Sequence, residues 1–406
     1  MKKQLQDYAR LIAVRGANVR KGQEVVIRAQ PDQPDFVAAL CEECYKLGAS
    51  EVSVEWEYQP ITKQHIQYRS LKTLSTVKKW EKEKLACRAK ELPAMIHILS
   101  ADPDGLSGID DEKNSKASRA RYPIMKPYLD KMENKYQWCI AAVPGKVWAK
   151  KVFPGETPSK AVTMLWDAIL KAARAEKDPI GAWEKHNAEL AERCAYLNSL
   201  GLSELIYKSK NGTDFRVGLI EKSKFCGGTE TSLQGIVFNP NIPSEEIFIS
   251  PMRGKAEGTV VATKPLSYRG RMIENFSFTF KGGKVVDFKA EKGADLLRTM
   301  LSMDDGASYL GECALIPFDS PINKSGIIFY NTLFDENASC HLALGHGFTN
   351  TIVDYDKYTL EECRKMGVND SMIHEDFMIG SEDMDIKGKT RTGKTVQIFK
   401  NGNFAF

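Results

Sequence analysis

Hydrophobic and polar positions follow two different rhythms along this chain, changing near residue 200. In the first part, short apolar runs alternate with segments whose apolar positions recur every three or four residues. EVVIRA (24–29), EVSVEWEY (51–58), AMIHILS (94–100) and WCIAAVPG (138–145) have the length and composition of strands. Between the first two lies DFVAALCEECYKLGA, where Phe36, Leu40, Cys44 and Leu47 form one helical stripe. A long charged helical stretch runs to about residue 90, and SKAVTMLWDAILKAARAEKD and IGAWEKHNAELAERCAYLNSL supply two later helices. Strands alternating with helices predict an α/β N-terminal domain with a mostly parallel sheet over residues 1–200, the last helices acting as connector.

Beyond residue 200 the alternation tightens to every second residue. ELIYKSKNGTDFRVGLI is two such runs around Asn211-Gly212, a hairpin signal, and NFSFTFKGGKVVDFKA repeats it around Gly282-Gly283 with Phe276, Phe278 and Phe280 on one face. A β-rich α+β C-terminal domain is therefore expected over 201–406.

Composition narrows the functional classes. A net charge of +4, from 57 basic and 53 acidic residues, is too small to point to nucleic acid. The densest basic stretch, EKNSKASRARYPIMK, lacks interleaved stacking aromatics and reads as a solvated helix or loop. No run approaches the roughly 18 apolar residues of a membrane span. The charged N-terminus MKKQLQDYARLIAVRG has no secretory apolar region. Nine unevenly spaced cysteines fit reduced thiols. A cytoplasmic protein without a membrane or nucleic-acid partner is expected.

Three motifs resolve to ordinary structure. GKTRTGKT (388–395) matches a phosphate-loop pattern, but the alternating VQIFKNGNFAF follows it where a helix is required, so it reads as a hairpin. Cys41-x-x-Cys44 has no second pair for zinc and lies within a helical stripe. His374-Glu375 fails the helical zinc motif because residue 378 is Met. Four histidines (His65, His97, His186, His346) have no convincing company, and His97 reads as a core histidine.

A different picture comes from four segments of the second half. FNPNIPSEEIFISP places Glu245 and Glu246 at the start of a short β run, and YLGECALIPFDSPI places Glu312 in an apolar one. FDENASCHLALG brings Asp335, Glu336 and His341 together, with Asn337 or Ser339 expected to cap a short helix carrying His341. In SMIHEDFMIG, His374 and Asp376 share one strand face, which suits a metal pair, a catalytic pair or a satisfied polar pair. A carboxylate in apolar surroundings is costly unless paired or metal-bound. Several carboxylates and two histidines suit two divalent ions, although spacing alone does not bring the segments together.

NPNIPSEEIFISP, GECALIPFDSPI, LFDENASCHLALG and NDSMIHEDFMIG, in that order, closely resemble the signature segments of the metalloaminopeptidase family that includes aminopeptidases T, S and PepS. YARLIAVRGANVRKGQEVVIRA is similar to that family's N-terminal domain, so the resemblance spans the chain. It implies release of N-terminal residues from peptides by two divalent ions, with zinc, cobalt or manganese compatible with such ligands. It further implies ligands Glu246, Glu312, His341, His374 and Asp376, with Glu336 near the centre, and a homodimer with the active site in the C-terminal domain. Glu312 is the first candidate for general base and Glu336 the second. Where the family carries a tyrosine, seven residues after the first ligand histidine, this chain has Phe348. Two alternatives stand beside this reading: a non-catalytic peptide- or metal-binding protein, and a cysteine hydrolase using Cys340 or Cys313.

Overall fold

The computed structural model describes residues 2–406. The chain divides into two compact units. One runs up to Asn187 and takes in Gly228–Ser244 and Ile328–Leu333; the other comprises Ala188–Gly227, Glu245–Ile327 and Phe334–Phe406. The division falls inside the helix Pro179–Ser199.

The first unit is built on the expected parallel sheet. Its strands are β1 (Glu24–Ala29), β2 (Glu51–Trp56), β3 (Ala94–Leu99) and β4 (Trp138–Ala142), in the order β2-β1-β3-β4 and all parallel. Alternation along β3 puts Ile96 and Ile98 on one face and Met95 and His97 on the other. The helices Lys2–Leu11, Pro34–Lys46 and Pro158–Ala172 meet at Tyr8, Phe36 and Trp166, whose ring centroids lie 5.5–6.5 Å apart. Pro34 and Pro158 begin their helices, where a missing N–H costs nothing. The charged stretch before residue 90 is three helices rather than one: Gln59–Tyr68, Leu71–Ser75 and Lys79–Glu91. Ser70 starts the second by accepting from the Thr73 N–H, and an extended Lys78 precedes the third. The basic stretch lies in the helix Asp111–Met132, capped by Asp110.

Two segments from later in the chain complete this unit, the first through backbone pairing and the second through a side-chain hydrogen bond. Ile140 N–H donates to Pro240, Ile242 N–H donates back to Ile140, and Asn239 N–H reaches Arg15. The Trp148 indole donates to the Phe329 carbonyl at 2.5 Å.

The second unit is β-rich and antiparallel. Its larger sheet has nine strands and contains the hairpin Leu202–Lys208/Asp214–Leu219 and the hairpin Arg271–Lys281/Lys284–Lys292. The phosphate-loop look-alike is the turn between Asp385–Thr390 and Thr395–Lys400. The smaller sheet has five strands in the order His374–Met378, His341–Gly345, Leu310–Leu315, Ile247–Ile249, Cys226–Gly227. Phe377 joins the two sheets, its ring 5.0 Å from Phe278 and 6.1 Å from Phe276. Among the described residues no helix is long and apolar enough to cross a membrane.

Candidate metal centre

The five-stranded sheet has one apolar face and one chemical face. Cys313, Leu315, Leu342, Leu344, Phe377, Ile247 and Ile249 point into the core of the unit. The residues between them turn the other way, and pairing puts them in rows. Asp376 stands opposite Ala343, which stands opposite Glu312; His374 stands opposite Gly345, and His341 opposite Ala314. Each large ligand-type side chain therefore has a small cross-strand neighbour, which leaves room between them.

Local backbone devices aim these groups. A register shift between Leu310 and Glu312 interrupts the ladder next to Glu312, the kind of irregularity that re-aims a side chain. At Gly311 a Cβ would lie 2.0 Å from the His346 carbonyl oxygen, so only glycine permits that approach. The same carbonyl accepts from Nδ1 of His374 at 2.7 Å, and the Glu336 carbonyl accepts from Nδ1 of His341 at 2.9 Å. Because a carbonyl can only accept, each neutral imidazole carries its hydrogen on Nδ1 and presents a bare Nε2 to the cluster. Asn337, fully buried, receives the Glu245 N–H at 2.7 Å and donates to Glu336 Oε1 at 3.2 Å, fixing the start of the strand after Glu246.

The expected residues converge. His341 Nε2 lies 3.5 Å from Glu246 Oε2, 4.0 Å from Glu312 Oε2 and 3.8 Å from Asp376 Oδ1. His374 Nε2 lies 3.1 Å from Glu312 Oε2 and 3.2 Å from Asp376 Oδ1. Two groups with metal-ligand spacing result, Glu246–Glu312–His341 and Glu312–His374–Asp376, and Glu312 belongs to both. Glu336 belongs to neither but lies beside Asp376, whose charge raises the Glu336 pKa. His374 is the most open member, with 25 % of its side chain exposed against 1 % for His341. Solvent thus reaches the cluster at His374.

The electrostatics describe a site short of positive charge. Burial, reinforced by Asp376, Glu246 and Glu312, pushes Glu336 well above the usual carboxylate range. Burial opposes charge on His374 as well, yet Asp376 and Glu312 carry its pKa well above the ordinary imidazole value. Burial also works against the Asp376 carboxylate, but His374 and His341 hold its pKa low. Asp376 Oδ1 is buried and has no hydrogen-bond donor among the described residues. Carboxylate oxygens thus crowd the imidazole nitrogens at little more than 3 Å and favour a proton on His374 Nε2, a place that a divalent cation between the same groups would take. This donor set, imidazole and carboxylate without thiolate, fits borderline or hard divalent ions.

Some expectations change. His341 opens a strand rather than sitting on a capped helix, and Asn337 serves as a buried link between two segments. Cys340 and Cys313 face the apolar core; burial pushes the Cys340 thiol up to about 12 and raises Cys313 further. Neither thiol is a nucleophile in that setting, so the cysteine-hydrolase alternative has no geometry. Phe348 packs on the cluster, its ring centroid 4.9 Å from that of His374, whereas Tyr355 packs against the separate cluster around Ile352, Cys363 and Val368. The orienting carbonyls of Glu336 and His346 carry no side-chain signal. The small residues do: in HLALG, His341, Ala343 and Gly345 share a face.

Comparisons with known proteins give the family. A family model described as thermophilic metalloprotease (M29) matches residues 1–404. Aminopeptidase AmpS of Bacillus subtilis is 40% identical over 404 residues, covering 99% of this chain and 98% of that protein. Aminopeptidase T of Thermus thermophilus is 38% identical over 405 residues, with 99% and 98% coverage. The solved structure described as wild-type AmpT from Thermus thermophilus superposes with a TM-score of 0.88 at 37% identity, covering 100% of both chains. Whole-length match, close relatives and fold agree: the chain belongs to the thermophilic metalloprotease (M29) family.

Proposed function

We propose that this chain is a cytoplasmic aminopeptidase that uses two divalent ions, held by Glu246, Glu312, His341, His374 and Asp376, to release N-terminal residues from peptides. The enzyme class, a metalloaminopeptidase, is that of its family and relatives. The observation that carries the two-ion reading is the sharing of Glu312 by two ligand groups, each with its own histidine. When bound, divalent ions lower the pKa of a water towards neutrality and polarise the scissile carbonyl.

The remaining chemistry falls to the chain's own groups. Nδ1 donation to backbone carbonyls keeps both imidazoles in the ligating tautomer. Glu312 serves both groups as a ligand, which leaves Glu336, outside both; with bound cations offsetting the carboxylates that raise its pKa, Glu336 would be ionised and placed to take the proton from the attacking water and return it to the leaving amine. At position 348 the phenyl ring has no hydroxyl to donate, and it acts by packing against His374. The reading includes peptide substrates with a free N-terminus and a homodimer, as the family resemblance implies.

Two conservative substitutions separate ligand from base. Glu336→Gln is expected to keep its metal and lose about 10²–10⁴ in kcat, the scale of a lost general base. Glu312→Gln is expected to lose metal and activity together. Metal analysis of the purified variants beside peptide hydrolysis checks this, and a Glu336→Gln enzyme with full kcat would remove Glu336 from the role.

A further inference from the structure

In the first unit the cover of the parallel sheet is incomplete. On the face that carries Met95 and His97, the helices Lys79–Glu91 and Asp111–Met132 stand off the strands around a cavity of about 350 Å³. Small-molecule sites occupy roughly 300–1,000 Å³. The helix Lys79–Glu91 buries none of its residues completely, consistent with a void beneath it. Trp80, Leu85, Met95, Met125, Leu129 and Met132 give the cavity apolar walls. Trp80 is 59 % exposed, so the cavity has an open side.

Charge around the cavity is unbalanced. Arg28, Lys84, Arg88 and Arg121 line it against only Glu55 and Glu81. Both carboxylates are already engaged. Glu55 pairs with Lys84 and Arg88, while Glu81 takes Arg121 at 2.6 Å and the Lys78 N–H at 2.8 Å. Arg28 Nε is buried, stands 3.9 Å from Glu55, and has no hydrogen-bond acceptor among the described residues. His97 adds no charge, because burial and the nearby guanidiniums of Arg28 and Arg88 push it down to about 4. Burial raises Tyr136, which keeps its phenol protonated and able to donate.

We propose that this cavity is a binding site for a small amphipathic carboxylate, with its apolar tail against the methionines and leucines and its head at Arg28. The saturated carboxylates leave nothing for an ammonium head, whereas Arg28, whose Nη2 is held by Glu57 outside the cavity lining, still offers its Nε–H in a cationic surround. Methionine walls adapt to tails of different shape, so the head group sets selectivity. Every lining residue belongs to the first unit, so the site stands independently of the metal centre.

Calorimetric titration of the full-length, metal-loaded protein with octanoate tests this. Saturable 1:1 binding is expected with Kd on the order of 1–10 mM, the range a ligand of ten heavy atoms reaches at ordinary ligand efficiency. Octylamine, with the same tail and opposite charge, should bind at least ~10-fold more weakly, a difference of about 1.4 kcal/mol. Arg28→Gln should weaken octanoate by a similar factor, and Met125→Trp, which fills the cavity, should abolish binding. Because carboxylates also ligate divalent ions, the titration is repeated after chelation, where octanoate binding should persist. No saturable binding, equal binding of octylamine, or binding lost on chelation yet indifferent to both substitutions would each overturn the proposal. Should Met125→Trp not fold, Arg28→Gln, at a partly exposed residue, decides alone.

Discussion

His341→Ala is expected to lose bound metal and peptide hydrolysis together, by more than the ~100-fold that loss of a residue supporting a ligand produces. His341 is 1 % exposed, and its Nε2 faces three carboxylates, Glu246, Glu312 and Asp376, within 4.0 Å. Without the imidazole those carboxylates keep their mutual repulsion and lose the nitrogen that completes the first ligand group. The fold should survive, because the apolar side of the strand His341–Gly345, Leu342 and Leu344, is untouched. Metal content, kcat/KM and circular dichroism measured on one preparation check the prediction. A folded His341→Ala protein with normal metal content and normal turnover would place the site elsewhere.

Phe377→Ala should destabilise the second unit by about 3–5 kcal/mol, the cost of emptying a large aromatic site in a packed core. The ring is 1 % exposed and is held between Phe276 and Phe278 of the facing sheet. Its backbone follows Asp376 directly, on the opposite side of the strand, so packing on one face fixes the ligand on the other. The variant should therefore also hold metal less tightly, although no ligand is altered. Urea unfolding followed by circular dichroism reads the stability change from the midpoint at unchanged slope. A shift below about 1 kcal/mol would mean that Phe377 is not part of a close-packed core.

The parts of this structure that were legible in the sequence are those set by local alternation. EVVIRA, AMIHILS and WCIAAVPG became β1, β3 and β4, and the Asn211-Gly212 and Gly282-Gly283 pairs turn real hairpins. His374 and Asp376 were readable as one face because a strand fixes which side each residue takes. His341 was misread because NASCH carries helix-start residues, whereas pairing with Leu310–Leu315 and His374–Met378 draws it into a central strand. That is tertiary override of a local signal. The return of Gly228–Ser244 and Ile328–Leu333 to the first unit was illegible for a related reason: their pairings to Arg15, Ile140 and Trp148 span about 100 to 220 positions. Backbone carbonyls that orient the histidines leave no mark on residue type, so Glu336 and His346 were invisible in that role. His97 read as a core histidine; it instead lines the cavity left where two helices stand off β3.

The central claim is that the clustered carboxylates and histidines hold the ions that hydrolyse an N-terminal peptide bond. Hydrolysis of an N-terminally free peptide and its N-acetylated twin, before chelation, after it, and after metal add-back, tests this most directly. The account predicts cleavage of the free peptide alone, lost on chelation and restored by a divalent ion. Absence of cleavage by a folded protein confirmed to carry metal would contradict it, and would make the chain a metal- or peptide-binding member of its family.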